Sequence, residues 1–350
     1  MLEKKRVLLV YGSDLLWPWE WLKEVADVKP RMGKGQNKLT VNELKDFKPH
    51  VIAGSPAKVT EVHSITAELM DACQNLEFIQ LFNMGYDPVD LDAATKRGIL
   101  LANLGGVGIS SSSVSELAWA HVLSVARRIP QIDAAMRSGE KLSAEGWSKD
   151  DGFYRGGPIL AGKTLGVIGL GKIGKRTALT GRLGFNMRVI AYDPYVESAD
   201  AEMIGVQKVD LDTLLKESDV IIIHVAMTDE SRRMIGEKEI AKMKKSVILV
   251  NDARGDLLDM PAVAKAISED RIYGAGIDVW PKEPPDPNEP WVQTLLKSRR
   301  TSLSSHIGTQ NEGMVYRHKG GLENVATFCK GQRPQWVVNP AALQVKKASL

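Results

Sequence analysis

Thr164-Leu165-Gly166-Val167-Ile168-Gly169-Leu170-Gly171-Lys172-Ile173-Gly174 lies at the middle of the chain and decides how the rest is read. The apolar run up to Ile168 reads as a buried strand, and Lys175 to Leu183 reads as a helix. Strand, Gly-x-Gly-x-x-Gly and helix together form the setting in which a dinucleotide pyrophosphate rests on a helix N-terminus. Gly169 permits the tight turn, Gly171 lets backbone approach phosphate, and Gly174 lets the helix close on the strand. A second strand, Met187 to Tyr192, runs into Asp193. That is about twenty residues on, where an acid hydrogen-bonds a ribose 2′-hydroxyl. A carboxylate there repels the 2′-phosphate of NADP, so NAD is the expected cofactor.

The 350 residues suggest two domains. Hydrophobic content of 43% and charged content of 25% are those of a globular chain. A net charge of +3 from 46 basic and 43 acidic residues offers no electrostatic case for nucleic acid or a membrane surface. No apolar run approaches the ~18 residues of a membrane span, and no secretory signal is legible at the N-terminus. Cys73 and Cys329 lack metal-ligand spacing and read as reduced thiols, so no metal site and a cytoplasmic location are expected.

Upstream of the glycine motif, strand and helix signals alternate. Val7–Tyr11, His50–Ala53, Phe78–Phe82 and Ile99–Asn103 read as short strands, with helices at Ser64–Cys73 and Leu91–Arg97. Gly105 to Ser113 reads as a mobile or ligand-facing loop whose serines can cap a buried helix over Val114–Arg127. Trp17-Pro18-Trp19-Glu20-Trp21 reads as a packing cluster. Downstream, apolar runs at Val220–Val225, Ser246–Asn251 and Ile272–Asp278 fit parallel strands covered on both faces. The expected fold class is α/β, with two Rossmann-like doubly wound parallel sheets.

Three later strand ends carry polar groups, where open α/β sheets bind ligands. They are Asn251-Asp252-Ala253-Arg254-Gly255, Asp278-Val279-Trp280-Pro281-Lys282-Glu283-Pro284 and Ser304-Ser305-His306-Ile307-Gly308. His50, His63, His121 and His318 show no constellation and read as ordinary. The order of these motifs after the glycine loop resembles the D-isomer-specific 2-hydroxyacid dehydrogenase family. Asn83-Met84-Gly85-Tyr86-Asp87 and Val337-Val338-Asn339-Pro340 extend the resemblance over nearly the whole chain.

The resemblance implies a nucleotide domain, residues 113–305, inserted into a catalytic domain made of 1–112 and 306–350, with a cleft between the two. It implies Arg254, Glu283 and His306 as the catalytic trio. Hydride transfer to a 2-keto acid loads charge on the carbonyl oxygen, so a proton donor must stand beside it. His306 suits that role, Glu283 would orient its ring, and Arg254 offers a planar fork for the carboxylate. Substrate contacts are implied at Met84 and Gly85 through backbone N–H, and at Arg254 and His306. Cofactor contacts are implied at Gly169, Gly171, Lys172, Ile173, Gly174, Asp193, His224, Val225, Asp252, Ala253 and Asp278, the last accepting from the nicotinamide carboxamide. A homodimer is also implied.

Asp252, Ala226 and Ser304-Ser305 depart from the family's usual residues and blur the identity of the 2-hydroxy acid. Two other readings share the fold. One is a dehydrogenase of another small anion, phosphite or formate, although formate enzymes pair the histidine with glutamine, not glutamate. The other is an NAD(H)-sensing corepressor-like binding protein.

Overall fold

A computed structural model of the chain describes residues 3–13, 15–56, 64–105, 108–139, 157–310 and 312–348. His63 and the Gly106-Val107 part of the glycine–serine stretch lie outside the described residues. The chain divides into two compact units, Met1–Ser110 with Asn311–Leu350, and Ser111–Gln310.

Among the described residues the second unit holds seven strands: β6 (Thr164–Ile168), β7 (Arg188–Tyr192), β8 (Gln207–Lys208), β9 (Val220–Ile223), β10 (Ile248–Asn251), β11 (Gly274–Ile277) and β12 (Thr301–Leu303). Every pairing is parallel and the order is β12-β11-β10-β9-β6-β7-β8. The order reverses between β6 and β9, which makes their C-terminal ends the crevice of the sheet. Successive side chains of a strand face opposite sides, so a run such as Val220-Ile221-Ile222-Ile223 must be covered twice. Ile221, Ile223 and Leu249 fill one apolar cluster, while Val220, Ile222, Ile248 and Val250 fill the other. Each such side chain, removed from water, contributes ~2 kcal/mol to the drive for folding.

Among the described residues the first unit has five parallel strands, β1 (Lys5–Tyr11), β2 (Ala26–Met32), β3 (Val51–Gly54), β4 (Phe78–Leu81) and β5 (Leu100–Ala102), in the order β2-β1-β3-β4-β5. Leu8 and Val10 pack on one face, Val7 and Leu9 on the other. The second face is closed by Leu322, Val325 and Phe328 of the helix Gly313–Cys329. Asn339 ties the last segment to β5, accepting from the Leu101 N–H at 2.8 Å and donating to the Ile99 carbonyl at 2.9 Å. Trp17, Trp19 and Trp21 pack half-buried against this core, which is a packing role. Among the described residues, no helix is long and apolar enough to cross a membrane.

One expectation about the local structure is corrected. The helix expected from Val114 starts at Gly108 and runs to Arg127, so Ser110–Ser113 are helical rather than a long loop. Ser113 is fixed there, its hydroxyl donating to the Gly308 carbonyl at 2.5 Å. The division of the chain also differs at His306, expected to open the second catalytic-domain segment but grouped here with the unit Ser111–Gln310. Its N–H donates to the Asp278 carbonyl at 2.7 Å, which keeps the chain on the sheet beyond β12.

Candidate active site

The glycine loop follows β6 at the crevice. Gly169 has φ +94°, the left-handed region where a side chain is strained. A Cβ there would also stand 2.7 Å from the His224 carbonyl. At Gly174 a Cβ would fall 1.9 Å from the Gly169 carbonyl oxygen, so only glycine lets the helix Lys172–Leu179 sit this close. A Cβ at Gly171 would meet nothing within 4 Å, and no side chain caps the helix that starts beside it. That leaves an open cradle at a helix N-terminus, with the geometry and dipole that suit a pyrophosphate. Asp193, at the end of β7, accepts from the Leu170 N–H through Oδ2 at 2.8 Å and from the Tyr195 N–H through Oδ1 at 2.9 Å. The acid is therefore fixed beside the glycine loop, and these residues fit a dinucleotide.

His224 closes the other side of the crevice. Its N–H donates to the Ile168 carbonyl at 2.7 Å, and Val225 follows, packed against the core. The ring points inward, with Nδ1 shielded from solvent. Nε2 lies 2.9 Å from Thr177 Oγ1, which donates onward to Ser115 Oγ at 3.0 Å. Thr177 thus receives the ring hydrogen, and burial pushes the imidazole down to about 3. His224 is a neutral structural ring, in keeping with a backbone role.

The ends of β10, β11 and β12 bring together the expected trio. His306 Nδ1 lies 2.8 Å from Glu283 Oε2. Glu283 also accepts from the Trp280 N–H at 3.2 Å, and the Trp280 indole donates to the Ser304 carbonyl at 2.8 Å. The His306 imidazole is raised above its usual value, first by the Glu283 hydrogen bond, against burial and the Arg254 charge. Burial pushes the Glu283 carboxyl up, but His306, Trp280 and Arg254 outweigh it and hold it below its usual range. The charge of Arg254 is thus felt at both partners. With Nδ1 engaged, Nε2 is the nitrogen left to exchange a proton with a substrate.

The turn that carries Arg254 is held by the Asn251 side chain, and the Arg254 guanidinium donates through Nη1 to the Ala253 carbonyl at 2.6 Å. The Arg254 carbonyl accepts from Asn251 Nδ2 at 2.8 Å, and the Ala253 N–H donates to Asn251 Oδ1 at 3.1 Å. Asn251, fully buried, therefore sets the turn that carries the arginine. Its amide, at a strand end of apolar residues, was the signal in the sequence for that role.

Two implied cofactor contacts have other settings. The Asp252 carboxyl has no exposed surface and no hydrogen-bond partner among the described residues. The helix Gly108–Arg127 carries His121 Nε2 to 3.7 Å from the Asp252 Oδ1. Asp278, 1% exposed, accepts from Ser304 Oγ at 2.5 Å, the Ile307 N–H at 2.8 Å and the Gly308 N–H at 3.0 Å. Its carboxylate fastens the segment around His306. Met84 and Gly85 lie in the first unit, after β4, where the Met84 carbonyl accepts from Asn103 Nδ2. No group of three or more His, Cys, Asp or Glu suited to a metal ion occurs among the described residues.

Residues 119–308 match the family model described as D-isomer specific 2-hydroxyacid dehydrogenase, NAD binding domain. A glyoxylate reductase of Thermococcus litoralis is 40% identical over 284 residues, covering 80% of this chain and 82% of that protein. Among solved structures, a glyoxylate reductase from Paecilomyes thermophila superposes with TM-score 0.82 at 27% identity, over 97% of this chain and 99% of its own. A D-lactate dehydrogenase from Aquifex aeolicus, complexed with NAD and lactic acid, gives TM-score 0.75 at 29% identity, over 98% of each chain.

Proposed function

Because the chain belongs to the D-isomer specific 2-hydroxyacid dehydrogenase family, we propose that it interconverts a small D-2-hydroxy acid and its 2-keto acid with NAD, using His306, Glu283 and Arg254. The observation that carries this reading is the 2.8 Å His306–Glu283 pair standing within the field of Arg254 at adjacent strand ends. Bound nicotinamide supplies or takes the hydride. His306 gives a proton from Nε2 to the carbonyl oxygen as charge develops there, and takes it back in the oxidative direction. Glu283 keeps the imidazolium charged and oriented. Arg254 holds the substrate carboxylate with its planar fork. Met84 and Gly85 are proposed as further holds on that carboxylate through their backbone N–H groups.

Glyoxylate is the first substrate to try, given the activity named for the relatives. We further propose a homodimer in the cytoplasm, acting on a small molecule and on neither nucleic acid nor membrane. Exposed Ile129 and Met136 on the helix Ile129–Arg137 offer apolar surface for a subunit contact, and the small net charge speaks against nucleic-acid and membrane-surface partners. NADH oxidation against a panel of 2-keto acids, from glyoxylate and hydroxypyruvate to bulkier ones, tests the reading. Turnover of at least one is expected. NADH binding with no turnover on the panel would instead favour the sensing role.

Two variants probe the assignments. Asp193→Asn keeps an acceptor for the Leu170 N–H but removes the charge. Its kcat/KM for NADPH relative to NADH is expected to rise about tenfold, the equivalent of ~1.4 kcal/mol, and an unchanged ratio would refute the role given to Asp193. Glu283→Gln removes the group that raises the His306 pKa. Reduction needs the protonated ring, so kcat/KM falls as pH rises through that pKa. In the variant this falling limb moves to lower pH, and a pH profile in which it stays put counts against the pairing.

A further inference from the structure

A buried polar chain runs beneath the ends of β10, β11 and β12. His121, 3% exposed, enters from the helix Gly108–Arg127. A Cβ at Gly276 of β11 would fall 2.5 Å from the His121 Cβ, so the glycine leaves the space the ring needs. His121 Nδ1 is 2.9 Å from Ser302 Oγ, and Nε2 is 3.1 Å from Ser304 Oγ. Ser304 donates to Asp278 Oδ1 at 2.5 Å. The Asp278 carboxylate receives the Ile307 and Gly308 N–H groups, and its main-chain carbonyl receives that of His306.

The hydrogens in this chain can be placed by elimination. Ser304 gives its one hydroxyl hydrogen to Asp278, so it can only accept from His121. Nε2 therefore carries a ring hydrogen, and in a neutral ring Nδ1 accepts from Ser302. Only a neutral imidazole can donate at one nitrogen and accept at the other. The groups facing the ring favour that state. Burial lowers the His121 pKa against the charge of Asp278, and burial with Asp278 raises Asp252, whose Oδ1 is 3.7 Å from Nε2.

The segment held in this way is one that needs holding. His306 has φ +59°, a left-handed backbone that a residue with a Cβ keeps only when its surroundings over-determine it. We propose that His121 is a positioning residue for the reaction, fixing Ser304 and Asp278 and through them the backbone of His306. The proposal rests on the reading of His306 as the acid/base.

The test uses the full chain carrying His121→Leu, His121→Gln or Ser304→Ala. Readouts are kcat and KM for glyoxylate, NADH affinity by fluorescence titration, and hydrogen exchange at the Ile307 and Gly308 amides. His121→Leu and Ser304→Ala are expected to lower kcat about ten- to a hundredfold, the scale of a small misplacement, with NADH affinity held within about twofold. Both variants should speed exchange at the two amides. His121→Gln, whose amide can donate to Ser304, should recover part of kcat. The proposal is overturned if amide protection is unchanged in folded His121→Leu. It is equally overturned if kcat and NADH affinity fall together with no rescue by glutamine. Should His121→Leu not fold, Ser304→Ala decides by the same readings. Were the parent inactive on every acid, the reading of function would fail, and amide exchange alone would still judge the link from His121 to residues 306–308.

Discussion

Replacing His306 with alanine lowers kcat for keto-acid reduction about 10²–10⁴-fold, while NADH binds as before. The size follows from what is removed. In the proposed mechanism the His306 imidazole, whose pKa the Glu283 hydrogen bond raises, is the acid of the trio with Nε2 left for substrate. Without it, the charge that hydride transfer places on oxygen must be met by water or by Arg254 alone. The backbone needs a control, because φ +59° at this position strains alanine. His306→Asn tolerates that conformation but supplies no acid near neutral pH. The same loss in both variants, measured by steady-state NADH oxidation, locates the effect in the proton. Activity within about tenfold of the parent in the folded asparagine variant would remove His306 from the mechanism.

The second large effect is expected at Arg254. Arg254→Ala should cost kcat/KM about 10²–10³-fold, or ~3–4 kcal/mol, as for other truncations of a charged partner. The turn itself should survive, because Asn251 grips the main chain of Ala253 and Arg254 and not the guanidinium. Arg254→Lys should recover only part, since an ammonium supplies the charge without the two parallel donors. Measuring kcat and KM separately sharpens the test. A rise in KM alone assigns Arg254 to holding substrate, and a fall in kcat as well assigns it to the transition state. Arg254→Lys with parental kcat/KM would contradict the fork.

The parts of the fold legible in the sequence are those where local pattern and tertiary need coincide. Val220–Ile223 and Ile248–Asn251 are continuous apolar runs because both faces of their strands are covered. The glycine loop was readable because Gly169 and Gly174 each answer a separate steric demand. Two edge strands gave no such signal. Ala26–Met32 carries charges and Pro30, which an edge position tolerates, and Gln207–Lys208 is too short to show a period. Ser110–Ser113 imitate a loop by composition, although one of their hydroxyls is engaged across the unit at Gly308. Arg254, Glu283 and His306 could be picked out by motif order. The settings of Asp252 and His121 could not, since each depends on an element more than a hundred residues away in the chain.

The helix Gly313–Cys329 covers one face of a sheet whose strands all precede residue 103. On the ribosome that face cannot be closed until all of 111–310 has been made. The contiguous unit has every strand it needs as soon as it emerges, whereas the one begun first must wait with Val7, Leu9 and Phe78 lacking the cover of Leu322, Val325 and Phe328. Completion of the two units is therefore expected to run against the order of synthesis, with nascent residues 1–110 the stage most in need of a chaperone's cover.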